Sequence, residues 1–248
     1  MNGFAEAAAL MPDPFRILWK EDIGSTNDEL RALAEKGTAE GLVLIAENQT
    51  AGRGRRGAEW FSPAGEGLAF SVLLKPTASK DFWSRLSLAT GLAVAEAVEK
   101  FVPLAEIKWP NDVLVNGRKI AGILVEAGKD FVIVGIGINI NSMDFPGELT
   151  ATSLAIESGQ EVERPAVLLE VVKRLSIHAD RIDQSFENTM DGVRQRCWLT
   201  GKLVRFTCSG VGKTGLVKGL GSGGELLVEI GGKLERIVQA DEVRILSE

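Results

Sequence analysis

The sequence predicts an α+β fold in two unequal parts. Strands and helices interleave over residues 1–200, and an all-β segment follows over 201–248. Three observations carry this expectation. Apolar runs of strand length (42–46, 67–74 and 130–141) alternate with stretches of helical apolar period (26–36, 81–101 and 164–188). The pair Asn116-Gly117 between apolar runs marks a two-residue hairpin turn. From Gly201 onward the helical period disappears, and short alternating strands lie between glycine-rich turns, the pattern of a small, strongly curved barrel.

In chain order, residues 1–14 read as a loose, alanine-rich lead-in ending at Pro12 and Pro14, and 16–19 as a short first strand. Thr26 and Glu29 have the spacing of a capping box, Leu30, Leu33 and Ala34 form an apolar stripe, and Gly37 supplies the stop. Ser25, Thr26 and Asn27 therefore sit at a helix N-terminus, where free N–H groups favour an anion. Capping alone would explain Thr26, but three small polar residues in a row exceed what a cap requires. The strand 42–46 delivers Gln49, the strand 67–74 ends at Pro76, and 81–101 reads as a core helix.

The hairpin around Asn116-Gly117 predicts pairing of Val115 with Arg118, Leu114 with Lys119, Val113 with Ile120 and Asp112 with Ala121. Asp112 and Lys119 then project from one face, paired with each other or with a ligand. Gly122, inside a strand, signals close backbone approach. The strand 130–141 contains Gly-Ile-Gly-Ile-Asn, but no third glycine opens a helix, so a Rossmann site is excluded. Asn139 and Asn141 within it need partners. Residues 142–163 read as a connection, 164–188 as one long amphipathic helix, and 190–199 as a shorter one carrying Trp198. Barrel strands are expected at 202–207, 213–219, 225–230 and 233–238.

The composition narrows the function. A chain of 248 residues with 45% hydrophobic content builds a full core, and a net charge of −6 argues against a general nucleic-acid binder. No apolar run is long enough to span a membrane, and the first residues lack a basic leader, so the cytoplasm is the expected compartment. Cys197 and Cys208 have no metal spacing, and His178 is the only histidine. A zinc enzyme or a Ser-His-Asp hydrolase is therefore not expected, nor is any protein-bound metal.

Against that acidic background stands Gly52-Arg53-Gly54-Arg55-Arg56-Gly57, preceded by Gln49 and followed by Trp60. The glycines let the backbone approach a ligand closely, the arginines offer forks for phosphate or carboxylate, and the tryptophan offers a flat face. A solvated basic loop would share this composition. The flanking motifs favour a ligand.

Taken in order, Ser25-Thr26-Asn27, Gln49, the arginine loop with Trp60, Lys108-Trp109-Pro110-Asn111-Asp112, the Lys119-to-Glu126 strand and Gly137-Ile138-Asn139 resemble the biotin–protein ligase family. The resemblance covers about 16–141, and the barrel after Gly201 is similar to that family's C-terminal domain. It implies a mixed β-sheet with helices on one face, the biotin/lipoate ligase fold related to class II synthetases, followed by an SH3-like barrel. The implied domains are a catalytic biotin- and ATP-binding domain (1–200) and the barrel (201–248).

The implied activity uses biotin and Mg-ATP to form biotinyl-5′-AMP. Biotin then passes to a lysine of a biotin carboxyl carrier protein or domain, typically of acetyl-CoA carboxylase. The resemblance assigns biotin contacts to Ser25, Thr26, Asn27, Gln49, Arg53, Gly54, Arg55, Lys119 and Gly122. It assigns ATP contacts to Arg53, Arg55, Arg56, Trp60, Asn111, Lys119 and Asn139, and catalysis to Lys119, Arg53 and Asp112. Some family members carry a helix-turn-helix domain and act as repressors. Too few residues precede Trp19 for one, so neither specific DNA binding nor repression is expected. Ala58-Glu59 stand where the family often has a further basic residue, which leaves this loop less cationic. A homodimer through an exposed sheet edge is allowed. Two other readings compete: a lipoate or octanoate ligase or transferase on the related fold, and a non-catalytic vitamin- or nucleotide-binding module.

Overall fold

The structure, a computed structural model, describes residues 3–146, 150–183 and 185–246. Residues 1–2 of the lead-in, 147–149 of the connection and 184 of the expected long helix lie outside these. Two sheets organise the chain. The larger has seven strands: β1 (Arg16–Ile23), β2 (Leu42–Gln49), β3 (Gly67–Leu74), β4 (Glu106–Lys108), β5 (Asp112–Val115), β6 (Arg118–Ala127) and β7 (Val132–Asn139). Their order is β1-β2-β3-β7-β6-β5-β4, with β1 and β2 parallel and the remaining pairs antiparallel. The expected mixed sheet is therefore present.

Side-chain alternation along β7 assigns the two faces of this sheet different tasks. Val132, Val134, Ile136 and Ile138 point into the main core, against α3 (Leu86–Val98) and α5 (Arg164–Ala179). Ile133, on the other face, packs with Phe131 under Leu30 and Ala34 of α2 (Thr26–Glu35). The helical layer thus covers one face, as expected, and α2 adds partial cover to the other. α2 is short, so the rest of that second face stays open. There β7 places Gly135 and Gly137 in the file that begins with Ile133.

Several elements differ from the sequence reading, each for a tertiary reason. The lead-in contains a helix, α1 (Phe4–Ala8), because Phe4 and Ala7 bury themselves in the core and Arg164 lies over the Phe4 ring. The N-cap of α2 is Ser25, not Thr26, because the Thr26 N–H is taken by Gln49. Residues 80–85 form a 3-10 turn before α3. A short helix, α4 (Leu154–Ser158), capped by the Ser153 hydroxyl, interrupts the connection. The long helix expected over 164–188 is broken: α5 ends at Ala179 and α6 (Phe186–Gln195) follows. Arg85 donates to the carbonyls of Ile182 and Asp183, which gives the freed backbone acceptors a partner.

The hairpin turn has both central residues in the left-handed region, Asn116 at φ 52° and Gly117 at φ 71°. Val115 pairs with Arg118 and Leu114 with Lys119, as expected, but a bulge then shifts the register. Val113 pairs with Ala121 and Asp112 with Gly122, not with Ile120 and Ala121. The extra residue, Ile120, turns into the core, and Lys119 comes to share a face with Gly122.

The second sheet contains β8 (Leu203–Cys208), β9 (Val211–Leu220), β10 (Leu226–Ile230), β11 (Lys233–Ile237) and β12 (Asp241–Ile245), in the order β11-β10-β9-β8-β12. β12 was not expected; it pairs with β8, and its alternation is disturbed by a bulge. The two sheets share one apolar core, and the Trp109 indole N–H donates to the Gly224 carbonyl at 2.9 Å.

Candidate functional site

The open part of the second face is a cavity of about 270 Å³. Its floor is made by omission of side chains. In register, Ala69, Gly137 and Gly122 form one row, and Ser71, Gly135 and Leu124 the next. A Cβ on Gly137 would lie 2.2 Å from the Trp60 ring, and one on Gly135 would lie 2.3 Å from Asn27 Oδ1. A Cβ on Gly122 would lie 3.0 Å from the same ring and 3.2 Å from Lys119 Nζ. These glycines therefore admit Trp60, Asn27 and Lys119 to the sheet surface, which is the close approach that Gly122 signalled.

One end of the cavity is a polar network at the start of α2. Gln49 Oε1 accepts from Thr26 N at 2.8 Å and from Thr26 Oγ1 at 3.1 Å. Ser71, fully buried in β3, has its hydroxyl 2.7 Å from Thr26 Oγ1 and 2.6 Å from Asn27 Oδ1. Asn27 Nδ2 donates to Glu126 at 2.7 Å. This network fixes the side chains of Thr26 and Asn27, and Ser25 lines the same cavity beside them.

The roof is the arginine loop, closed into a narrow hairpin by Gly54 N–H to Ala58 O at 2.6 Å and Trp60 N–H to Gly52 O at 3.0 Å. Arg56 at φ 58° takes the left-handed turn. Each loop arginine has a partner. Arg53 forms a fork on Asp28 at 2.6 and 2.7 Å and reaches Glu126 at 3.2 Å. The hydrogen bond it donates to Asp28, foremost, raises its already high pKa. Arg55 donates to Asn111 Oδ1 at 3.2 Å, and Arg56 pairs with Asp241.

Lys119 Nζ lies 2.8 Å from Asp112 Oδ1 and 5.6 Å from the centre of the Trp60 ring. Asp112 Oδ1 has no aligned hydrogen-bond donor, so this contact is a proximity ion pair rather than a directional bond. Lys108, directly across the ladder from Asp112, has its pKa lowered by burial, partly offset by that carboxylate.

The cavity gathers Ser25, Thr26, Asn27, Gln49, Arg53, Gly54, Arg55, Arg56, Trp60, Asn111, Asp112, Lys119 and Gly122. Asn139 is not among its lining residues. Its amide donates to the carbonyls of Thr152 and Lys119, so it ties the Lys119 strand to the segment beside it. Asn141 likewise pairs with the Val162 backbone. Asp28, Ser71 and Glu126 are given no role by the sequence, and Asp241 begins a C-terminal stretch, Asp241-Glu242-Val243, that only loosely follows the family's ending. Ser71 carried a signal, as a lone hydroxyl in an otherwise apolar buried strand. Among the described residues no group of three His, Cys, Asp or Glu could hold a metal ion.

A polar network at a helix start, four cations and an aromatic wall over a glycine floor make a site suited to an anionic ligand with a flat ring. The family described as biotin/lipoate A/B protein ligases matches residues 20–141. A biotin–[acetyl-CoA-carboxylase] ligase of Mycobacterium tuberculosis is 34% identical over 90% of this chain and 86% of its own length. The bifunctional ligase/repressor BirA of Bacillus spizizenii is 39% identical over 63% of this chain, and this chain spans about half of its length (51%). The Aquifex aeolicus biotin protein ligase in complex with biotin and ATP superposes with a TM-score of 0.84 at 34% identity, covering 93% of this chain and 99% of that one. The chain belongs to the biotin–protein ligases of the biotin/lipoate A/B protein ligase family, with the fold of that family and its small C-terminal SH3-like sheet.

Proposed function

We infer that this chain is an ATP-dependent biotin–protein ligase that forms biotinyl-5′-AMP and transfers biotin to a lysine of a biotin carboxyl carrier protein, that of acetyl-CoA carboxylase being the expected one. One observation carries the reading. Lys119, the three loop arginines and Trp60 converge on the cavity whose other end is the Ser25-Thr26-Asn27 and Gln49 network. A carboxylate and a triphosphate that must react with each other need cations between them.

In the first step a biotin carboxylate oxygen bonds to the α-phosphorus, the α–β phosphoanhydride bond breaks, and pyrophosphate leaves with its electron pair. Lys119 and Arg53 offset the repulsion between the two anions and follow the charge into the transition state. Magnesium arrives with ATP as part of the substrate. In the second step the neutral amine of the carrier lysine attacks the acyl carbon, the acyl C–O bond to the phosphate breaks, AMP leaves with its electron pair, and one amine proton passes to solvent as the amide forms. Asp112, 2.8 Å from Lys119, stands where it can orient that amine. Biotin contacts are proposed at Ser25, Thr26, Asn27, Gln49, Arg53, Gly54, Arg55, Lys119 and Gly122, and nucleotide contacts at Arg53, Arg55, Arg56, Trp60, Asn111 and Lys119. Asn139 acts by positioning the Lys119 strand. Residues 1–200 form the proposed catalytic unit and 201–248 its C-terminal barrel. Among the described residues no helix is long and apolar enough to cross a membrane, and the need for ATP and a carboxylase fits the cytoplasm.

ATP–pyrophosphate exchange with biotin, lipoate or octanoate, followed by transfer to a carrier domain, tests this. Exchange with biotin alone, then carrier labelling, is expected. Exchange with lipoate instead, or biotin binding without exchange, would overturn it.

A further inference from the structure

The β5–β6 bulge places Lys119 where its own hairpin does not fix its direction. Ile120 beside it turns into the core, and β7 stops pairing with β6 at Ala121. At Lys119 the place of β7 is taken by residues 150–152, which run parallel to β6. The Lys119 N–H donates to the Thr150 carbonyl at 2.9 Å, and its own carbonyl accepts from the Thr152 N–H at 2.9 Å. The backbone that carries the central cation of the cavity is therefore set by a segment outside the seven strands.

One side chain bolts that segment down. Glu157 of α4 has a side chain only 5% exposed. Its Oε1 accepts from the Thr152 hydroxyl at 2.6 Å and from Arg118 at 2.8 Å, and its Oε2 accepts from the Asn116 amide at 2.6 Å. The three donors come from the added segment, from the residue next to Lys119 and from the hairpin turn. Bonds to a buried carboxylate are short and strong, and little water competes for them. The flanking elements do not need this anchor for themselves. Asn116-Gly117 forms its turn by backbone preference. α4 has its cap from Ser153 and a backbone bond from Ala155 N–H to the Ile140 carbonyl at 2.8 Å. What the carboxylate adds is a fixed spacing between turn and segment, with the Lys119 peptide between them.

We propose that Glu157 is a positioning residue for Lys119, fixing the hairpin and the 150–152 segment to each other so that the Lys119 ammonium stays at the junction of the two reacting anions. This rests on the reading of Lys119 as the cation of adenylation. Glu157, Arg118 and Thr152 do not line the cavity, so the anchor acts on the reaction through Lys119 and not by touching substrate. Loosening it lets the Lys119 peptide tilt, and the long side chain carries that tilt out to the ammonium. A displacement of about 1 Å at a reacting centre is enough to slow a step by about 10²-fold. Binding of either substrate draws on many other groups and changes little. The transition state, which needs the ammonium at both anions together, is what suffers.

The test measures biotin-dependent pyrophosphate exchange in Glu157→Ala, Glu157→Gln and Thr152→Val, each alone and combined with Lys119→Ala. Glu157→Ala should lower kcat about 10- to 100-fold, with the KM for ATP and the biotin affinity within about threefold of the unaltered chain. Glu157→Gln keeps one acceptor oxygen and should recover part of the rate. Thr152→Val removes a single donor, keeps the shape of the side chain and should slow exchange several-fold, which carries the test should Glu157→Ala fail to fold. In the Lys119→Ala background each change should cost less than about twofold further. Equal losses in both backgrounds would overturn the proposal and reduce Glu157 to a support of the fold. A raised KM for ATP at unchanged kcat would overturn it too, in favour of a nucleotide contact carried by the segment. If the full chain catalyses no biotin-dependent exchange, the reading of the activity fails instead, and amide hydrogen exchange decides on Glu157 alone. The Lys119 and Thr152 N–H groups should then exchange about 10-fold or more faster in Glu157→Ala, with Ile136 of β7 unchanged. Unaltered protection at Lys119 and Thr152 would overturn the proposal.

Discussion

The floor and the roof of the cavity are built on opposite plans. The floor is rigid sheet whose shape comes from missing side chains: Gly122, Gly135 and Gly137 in paired registers, with fully satisfied ladders on either side. The roof is a nine-residue hairpin, two of whose three arginines pair with carboxylates of other elements, Arg53 with Asp28 and Glu126 and Arg56 with Asp241, while Arg55 donates to the neutral Asn111 and Lys119 below is held by Asp112. Geometry is fixed where two reactants must be aligned, and charge is held in exchangeable pairs where anions must enter and leave. Altering the floor should therefore damage alignment, and altering the roof should shift only the competition for cations.

The largest effect is expected where the two meet. Lys119→Ala should lower the rate of biotin-dependent pyrophosphate exchange by about 10²–10³-fold, since it removes a cation from the developing transition state. Biotin affinity at equilibrium should change by less than about 10-fold, because Arg53 and the Gln49 network remain. A variant that loses biotin affinity but keeps its turnover rate would make Lys119 a ground-state ligand only.

Next comes the floor itself. Gly137→Ala places a Cβ where the Trp60 ring lies, at 2.2 Å. The ring sits on the loop and can be displaced, so the fold should survive while alignment is lost. About 10²-fold slower adenylation is expected, with an unfolding temperature within a few degrees of the unaltered chain. Retained activity would show that Trp60 does not set the geometry of the reacting groups.

A control for the roof lies behind the sheet, where an ion pair is built to stay. Glu96 Oε2 of α3 accepts from Arg174 at 2.8 Å, and the same oxygen lies 3.2 Å from His178 Nε2. Foremost the hydrogen bond with His178, and after it that with Arg174, lowers its pKa from 4.5 to about 2 against the cost of burial. A carboxylate with a depressed folded pKa contributes stability above its unfolded pKa and loses it as pH falls toward the folded one. Glu96→Gln should therefore lower the unfolding temperature by several degrees at pH 7. That difference should shrink from about pH 4.5 downward and be gone near pH 2, with exchange activity at pH 7 and 25 °C unaffected. A difference independent of pH would assign the effect to packing.

What the sequence disclosed follows the same division. Short linear motifs carried the reactive groups: the arginine loop, Lys108 to Asp112, and the Lys119 strand all reach one cavity, because their chemistry is local to a few residues. The sheet was legible from apolar runs, down to the bounds of β3. Features that depend on packing between distant segments were not. The bulge that slips Ile120 into the core cannot be read from Asn116-Gly117, which fixes only the first two pairs. The break after Ala179 depends on Arg85, 97 residues away from Ile182. Asp28 looks like a solvated acid in sequence, and only the fold brings its carboxylate, and that of Asp241, to arginines.

Asp28 gives the smallest expected effect and the most direct test of the exchange idea. Its carboxylate occupies the Arg53 fork at 2.6 and 2.7 Å, the geometry that an incoming carboxylate would need. Both partners are partly exposed, 35% for Arg53 and 53% for Asp28, so solvent screens the pair and it is worth only about 0–1 kcal/mol. Substrate must displace it at about that cost, which corresponds to about a fivefold change in affinity at most. Asp28→Asn removes the competing charge while keeping the shape of the side chain, and Glu126 still holds Arg53 from the other side. Biotin affinity should therefore tighten about two- to fivefold at low salt. The gain should shrink at high salt, where the competing pair is already weakened, and unfolding stability should stay within about 0.5 kcal/mol. Calorimetric titration at two salt concentrations measures both quantities needed. Weaker binding in the variant would reverse the role of Asp28, from a competitor for Arg53 to the residue that aims it.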